Sequence, residues 1–127
     1  MLNHLRQRAG DLLAEVTEAN LSTSGPAGLQ ARVFACEAAG LDLYLLVPGT
    51  SDHLFNLETE TEAVVSTAAW QIHGSAAAMP LAAAPGGLRL PERPDAAGCV
   101  LVAVRPRRMQ VYRAEGWGYG ETIDIEI

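Results

Sequence analysis

The chain has 127 residues, a formal net charge of −6 and 49% hydrophobic residues. This length suits one domain that buries about two-thirds of its unfolded surface, and the apolar content excludes wholesale disorder. The acidic balance argues against a nucleic-acid partner, because phosphate neutralisation requires a basic face.

Apolar residues recur at helical spacing in the first segment, from Leu2 to Val16. Charged residues of both signs lie between them, which predicts an amphipathic helix with one buried stripe that ends near Asn20. His4 is expected on the solvent side of this helix. The segment lacks the pattern of a signal peptide or of a basic membrane-surface helix, so we expect a cytoplasmic protein with no membrane partner.

Strand patterns separated by turn signals fill most of the remaining chain. Gly25–Gly28 predicts a hairpin turn that joins strands at Leu21–Ser24 and Leu29–Ala38. Further strands are predicted at Leu41–Val47, Ala63–Thr67, Trp70–Met79, Cys99–Val104 and Met109–Tyr112. A short helix is expected to begin at Ser51, a favoured N-cap residue.

The C-terminal half has two less regular parts. Pro80–Gly98 is rich in Pro, Gly and Ala, and forms either a short helix near Arg93–Ala97 or an irregular excursion. Pro106 is expected to end the strand that begins at Cys99. The alternation of Ile123, Ile125 and Ile127 indicates a half-buried strand. Without repeats or linkers, residues 1–127 are interpreted as a single, mainly β domain with minor α content, a small antiparallel barrel.

Several kinds of catalytic site are poorly supported. All nine basic residues are Arg, which excludes lysine Schiff-base chemistry. Cys36 and Cys99 lie in apolar runs without CxxC spacing, so we expect free, buried thiols. The three histidines lack the spacing of metal ligands, and we expect no metal site. No G-x-S-x-G pattern is present, and no catalytic residue is identified.

Three residues are candidates for binding a small anion. Ser51 caps either an ordinary connection or a helix start that offers N–H groups to a phosphate. Arg32 pairs with an acid such as Glu37, extends to the surface, or contacts a ligand anion. His53 is either an exposed helix residue or a donor to phosphate when it is protonated. His73 is interpreted as a structural histidine.

The segment LYLLVPGTSDHLFNL at Leu43–Leu57 carries a resemblance to a known family. Together with WQIHGSA at Trp70–Ala76 and the late Val104-Arg105-Pro106, it resembles the flavin-binding split-barrel proteins related to pyridoxamine 5'-phosphate oxidase. The resemblance covers residues 5–113. It implies a split β-barrel of six to eight antiparallel strands, with an N-terminal helix and a short helix after the third strand. It also implies a homodimer with the ligand between subunits.

The phosphate-binding residues of this family are only partly retained. Relatives that hold flavin mononucleotide (FMN) usually carry Thr or Ser at the end of the third strand, then Ser-Arg-Lys at the start of the helix. The corresponding residues here are Val47, Ser51, Asp52 and His53. An Asp repels a phosphate dianion and a neutral His offers one donor, so weak or absent FMN binding is expected.

The resemblance implies cofactor binding at four positions, Arg32, Thr50, Ser51 and His53. Two functions remain open. The first is an oxidoreductase with an unknown substrate that uses FMN or, as a lesser possibility, the deazaflavin F420. The second is a cofactor-free split-barrel dimer that acts as a small-molecule-binding or structural module. Trp117 and Tyr119 are predicted to pack on the partner subunit.

Overall fold

The computed structural model describes residues 2–112 and 119–125. Its helices are α1 (Leu2–Leu13) and α2 (Asp52–Leu57). Its strands are β1 (Glu18–Thr23), β2 (Gln30–Ala39), β3 (Asp42–Pro48), β4 (Glu62–Ser66), β5 (Trp70–Met79), β6 (Cys99–Tyr112) and β7 (Tyr119–Asp124). The first helix ends before the predicted boundary near Asn20, because β1 begins at Glu18 and pairs with β2 from that residue onward.

The strands form one antiparallel sheet in the order β3-β2-β1-β4-β5-β6-β7. An additional pairing of β3 with β6 closes the first six strands into a barrel, and β7 extends the sheet beyond β6. The predicted small antiparallel barrel, with an N-terminal helix and a short helix after the third strand, is therefore confirmed.

The barrel opens between β2 and β3. These strands pair only from Cys36↔Leu45 to Ala39↔Asp42. Before Cys36, β2 pairs only with β1 among the described strands, whereas β3 beyond Leu45 pairs only with β6. The two strands therefore diverge, and the loop after β3 and α2 lie beside the free edge of β2.

The prediction that Pro106 ends a strand is wrong, since β6 continues from Cys99 to Tyr112. One side of β6 pairs with β3 as far as Val104 and with β7 from Arg108. Pro106 lies between these two partners, where its missing N–H donor is tolerated. On the other side a bulge at Gly74 keeps the pairing with β5. A Cβ at Gly74 would collide with the backbone carbonyl of Arg105.

Inward-facing apolar residues of the barrel strands form the main core, together with residues of α1 and α2. Its fully buried members include Ala9, Leu13, Leu21, Leu43, Leu45, Val47, Val65, Ile72 and Met109. Ile123 in β7 is also buried, which agrees with the predicted half-buried strand, and Ile125 is buried just after the strand ends. Ile127 and Trp117 lie outside the described residues, and so does the side chain of Tyr119.

The Pro80–Gly98 segment is an excursion with three short 3-10 helices, and the last of them, Pro94–Ala96, lies where a short helix was considered. It packs Leu88, Leu90 and Ala96 against Tyr44, Leu46 and Leu101 on the outer face of β3 and β6. This second apolar cluster explains the mixed character of the segment, because only some of its residues face the barrel. Among the described helices, none is both long and apolar enough to cross a membrane.

Candidate functional site

A groove of ≈ 500 Å³ lies where β2 and β3 diverge. It is lined by Gln30, Ala31, Arg32, Phe34, Pro48, Thr50, Ser51, Asp52 and His53. All four residues predicted to bind a cofactor, Arg32, Thr50, Ser51 and His53, line this groove. They come from two chain segments that meet only because the barrel is split.

Ser51 occupies the N-cap position of α2, as predicted. Its backbone is extended (φ −69°, ψ 139°), and its Oγ accepts a hydrogen bond from the backbone N–H of His53 at 3.2 Å. The hydroxyl hydrogen of Ser51 remains available to a ligand, because Oγ acts as the acceptor in this cap. The neighbouring Thr50 is exposed and offers a second hydroxyl to the groove.

Arg32 is exposed on the free edge of β2, not buried inside an apolar strand. Glu37, which was considered as its partner, is engaged elsewhere: Oε1 accepts hydrogen bonds from the N–H groups of Arg89 (2.8 Å) and Leu90 (3.0 Å). No ion pair joins Arg32 to another described residue. Arg32 therefore supplies a solvated positive charge at the groove.

His53 is 3% exposed, so the expectation of an exposed helix residue is wrong. Its Nδ1 lies 2.7 Å from Thr23 Oγ1, and its ring packs edge-to-face with Phe34 at a centroid distance of 5.5 Å. Burial lowers the pKa of His53 below its ordinary 6.5, the positive charge of Arg32 lowers it further, and Asp52 opposes the shift. The imidazole is therefore neutral near physiological pH.

Asn56 is the structural residue that the sequence interpretation missed. It is fully buried, and its Oδ1 accepts the backbone N–H of Ala27 at 2.9 Å. Its Nδ2 donates to Gly28 O (2.8 Å) and to Thr23 Oγ1 (3.2 Å). These contacts attach α2 to the β1–β2 turn. An Asn within the apolar run from Leu54 to Leu57 was the available signal, but its partners lie far away in sequence.

Gly25 allows the close approach of this turn to α2. A Cβ at Gly25 would lie 2.9 Å from Asn56 Oδ1, and the residue has φ 153°. Both observations favour glycine at this position. The hairpin turn predicted from Gly25–Gly28 is thus also the surface on which α2 docks.

The other two histidines and two neighbouring arginines of β6 lie outside the groove. His73 Nε2 accepts from Gln71 Nε2 at 2.7 Å, which agrees with a structural role, and His4 is exposed. Arg107 is ion-paired with Glu62, and Arg108 Nε lies 3.4 Å from Asp124 Oδ1. Neither of these two arginines is among the described residues that line the groove.

The described residues contain no evident nucleophile or metal centre. Cys36 and Cys99 are free, as expected, but only Cys36 is fully buried. Burial raises the pKa of the Cys36 thiol to about 12, so it is not a reactive thiolate. Within residues 2–112 and 119–125, no group of three His, Cys, Asp or Glu side chains is arranged to hold a metal ion.

The groove has a limited set of binding groups. It combines one exposed cation, Arg32, with the hydroxyls of Thr50 and Ser51, while Asp52 places a negative charge on the same surface. Such a set can bind an anionic oxygen group through a charge-assisted contact and neutral donors. Asp52 opposes a second negative charge, so a singly charged group is accommodated better than a dianion.

Solved structures with a similar fold include three whose descriptions concern ligands or families. A Clostridium acetobutylicum protein described as related to general stress protein 26, of the pyridoxinephosphate oxidase family, is 15% identical, with TM-score 0.67 and coverage of 98% of this chain and 96% of its own. An F420 reductase is 17% identical, with TM-score 0.60 and coverage of 78% and 94%. A heme-binding protein from Mycobacterium smegmatis is 19% identical, with TM-score 0.66 and coverage of 93% and 56%.

The chain has the split-barrel fold of these proteins. At such low identities the likeness shows the fold alone, and it confirms the fold that the sequence resemblance implied. No protein-family model matches the chain, and no curated protein matches it. The chain spans 56% of the heme-binding protein, so that protein has a region without a counterpart here.

Proposed function

We propose that the chain is a divergent flavin-binding split-barrel protein, related to pyridoxamine 5'-phosphate oxidase, whose groove binds the phosphate end of FMN weakly. One observation carries this proposal: Arg32, Thr50, Ser51 and His53, the four positions implied by the family resemblance, line the same groove. The fold shared with a protein of the pyridoxinephosphate oxidase family and with an F420 reductase supports it.

The groove fits a phosphate only in part. Arg32 and the hydroxyls of Thr50 and Ser51 would hold its oxygens, but Asp52 adds repulsion where relatives usually carry Arg. A bound flavin would supply the redox chemistry, and the protein would position it. Weak binding follows, because the one cation among the described lining residues is exposed and its attraction is partly cancelled by the neighbouring carboxylate.

Titration of FMN fluorescence in the purified protein tests this proposal. An exposed charge contact contributes about 0.2–1 kcal/mol, so Arg32→Ala should weaken binding by about 1.4-fold to fivefold. The opposite change is expected for Asp52→Asn, which removes repulsion and should strengthen binding by a similar factor. Arg93→Ala is the control, because Arg93 is an exposed arginine paired with Asp95 and does not line the groove.

Two results would contradict the proposal. Purification with one tightly bound flavin per subunit would refute weak binding. Equal FMN affinity in wild type, Arg32→Ala and Asp52→Asn would show that FMN does not bind at this groove.

A cofactor-free, small-molecule-binding role is the second candidate. The observation that favours it is Asp52, which repels a phosphate dianion on the surface where the cofactor would sit. In this case the protein purifies colourless, FMN and F420 do not bind at micromolar concentration, and a singly charged carboxylate or a neutral molecule occupies the groove. The visible absorption spectrum followed by the FMN titration separates the two candidates.

We propose in addition that the protein is a homodimer in the cytoplasm. Two large apolar side chains are exposed at the start of β2: Leu29, just before the strand (80% exposed), and Val33, within it (54% exposed). Their burial against another subunit would be favourable. Light scattering at micromolar concentration should give twice the monomer mass, and a monomer mass would contradict this proposal.

A further inference from the structure

The direction of each hydrogen bond in the buried Thr23–His53–Asn56 network can be deduced from one fixed donor. The backbone N–H of Ala27 points to Asn56 Oδ1, and a backbone nitrogen can only donate. Asn56 therefore presents its amide oxygen to Ala27, and its Nδ2 must face the two remaining partners, Gly28 O and Thr23 Oγ1. An amide nitrogen also only donates, so Thr23 Oγ1 accepts from Asn56.

The remaining bond of this network joins Thr23 Oγ1 to His53 Nδ1 at 2.7 Å. With one lone pair of Thr23 engaged by Asn56, its hydroxyl hydrogen has His53 Nδ1 as its acceptor. A proton on Nδ1 would leave that hydroxyl hydrogen without a partner among the described residues. Unsatisfied buried polar groups are costly, so the network favours an unprotonated Nδ1.

We propose that Thr23 and Asn56 are positioning residues that hold His53 as the neutral Nε2–H tautomer, with this N–H offered to a ligand in the groove. The proposal deepens the proposed function, because it rests on the groove being the binding site. It assigns to His53 a role as a neutral hydrogen-bond donor to a carboxylate, phosphate or carbonyl oxygen.

The second ring nitrogen of His53 is accessible on the groove side. Nε2 has no hydrogen-bond partner among the described residues. Within the same residues, the one buried side-chain polar atom without a partner is Arg6 Nε, so His53 Nε2 is not sealed inside the protein. Since His53 lines the groove, the open side of its ring faces that space.

This arrangement changes the expected pH dependence of ligand binding. Arg32 and Asp52 are the charged groups that act on His53, and the pKa of His53 is lowered. A neutral Nε2–H donates equally well at every pH above that pKa. Acidification to an ordinary histidine pKa therefore does not strengthen binding, in contrast to a site that uses a protonated histidine as a cationic clamp.

Nitrogen NMR of the unmodified, ligand-free protein tests the tautomer directly. Long-range proton–nitrogen correlation spectra of uniformly ¹⁵N-labelled protein at neutral pH distinguish a protonated ring nitrogen from an unprotonated one. For His53 we expect an unprotonated Nδ1 and a protonated Nε2. A protonated Nδ1 would overturn the proposal, whether or not any ligand binds.

Variants at the two positioning residues test the assignment further: one should move the proton to Nδ1, and a matched pair tests the Thr23 hydroxyl. In Asn56→Asp, the carboxylate still accepts from Ala27 N–H but accepts from Thr23 as well, so we expect a proton on His53 Nδ1. Thr23→Val removes the hydroxyl and should shift the Nδ1 resonance, whereas Thr23→Ser should retain the wild-type spectrum. If Asn56→Asp fails to fold, the comparison of Thr23→Val with Thr23→Ser decides. Equal His53 spectra in these two variants would overturn the assignment.

Addition of FMN separates the inference from the proposed function. If FMN binds, the Nε2 resonance of His53 should shift, and Thr23→Val should lose affinity relative to Thr23→Ser. Binding of FMN without any change at His53 Nε2 would overturn the donor role. Absence of FMN binding would instead contradict the proposed function, while the ligand-free spectrum still decides the tautomer.

Discussion

Helix α2 and the Pro80–Gly98 segment both cover the barrel wall, but by different interactions. The Pro80–Gly98 segment buries Leu88, Leu90 and Ala96 on an outer face of the sheet. By contrast, α2 uses the buried side chains of His53 and Asn56, which are joined to Thr23 by directional hydrogen bonds. Apolar burial stabilises without defining orientation, whereas hydrogen bonds also fix the position of a side chain. The region with the polar network is the one that borders the groove.

The largest effect on stability is expected from a change in the apolar cluster of the Pro80–Gly98 segment. Leu90 is 4% exposed, and its replacement by Ala should lower the free energy of unfolding by about 2–4 kcal/mol through lost burial and a residual cavity. FMN affinity should not change, because Leu90 is remote from the groove lining. Denaturant unfolding measures the loss, and Glu92→Ala at an exposed position of the same segment should stay within about 0.5 kcal/mol of wild type. A matching loss in Glu92→Ala would contradict this distinction.

Asn56→Ala should have a smaller effect on stability but should also affect the groove. Removal of the amide leaves Ala27 N–H and Gly28 O without their partner, which costs about 1–3 kcal/mol. Unlike Leu90→Ala, this variant should also weaken FMN binding, because Thr23, which positions His53, loses the hydrogen bond from Asn56. Asn20→Ala is the control, since Asn20 bonds only to the nearby Ser22 among the described side chains. Unchanged FMN affinity in Asn56→Ala would contradict the idea that the hydrogen bonds of α2, unlike the apolar contacts of the Pro80–Gly98 segment, position the groove.

Local patterns predicted much of the fold because their causes are local. The β5 strand at Trp70–Met79 was predicted at its observed bounds, and Ser51 was predicted as the cap of a short helix. The continuation of β6 through Pro106 was not predicted. Whether a proline interrupts a strand depends on its neighbours, and here β3 and β7 leave a gap at that residue.

The candidate site could be predicted only in part. The family resemblance implied Arg32, Thr50, Ser51 and His53, and the structure places them on one groove. The burial of His53 was missed, because Thr23 is 30 residues away in sequence and reaches it only through the closure of the barrel. Asn56 was missed for the same reason. Long-range hydrogen-bond partners leave no periodic pattern in a sequence.

Glu37 shows that the Pro80–Gly98 segment also has a polar attachment. Its carboxylate accepts two backbone N–H groups of that segment, those of Arg89 and Leu90. Because the contact with Arg89 is exposed, Glu37→Ala should cost only about 1 kcal/mol of unfolding free energy. Chemical denaturation checks this value, with Glu58→Ala at an exposed helix cap as the control. A loss as large as that of Leu90→Ala would mean that hydrogen bonds, not burial, hold this segment.

The smallest expected effect is a pH dependence that belongs to the α2 network. The folded-state pKa of His53 lies below the unfolded value of 6.5, so the unfolded state takes up a proton first as the pH falls. Stability from this residue is therefore complete above pH 6.5 and is lost progressively below it, until the folded-state pKa is reached. Glu62 and Asp95, whose pKa values are lowered from 4.5 and 3.8 by Arg107 and Arg93, act in a more acidic range. Denaturant unfolding of wild type at closely spaced pH values should show the decline just below pH 6.5, and His53→Gln should remove it. An equal decline in His53→Gln would show that another group is responsible.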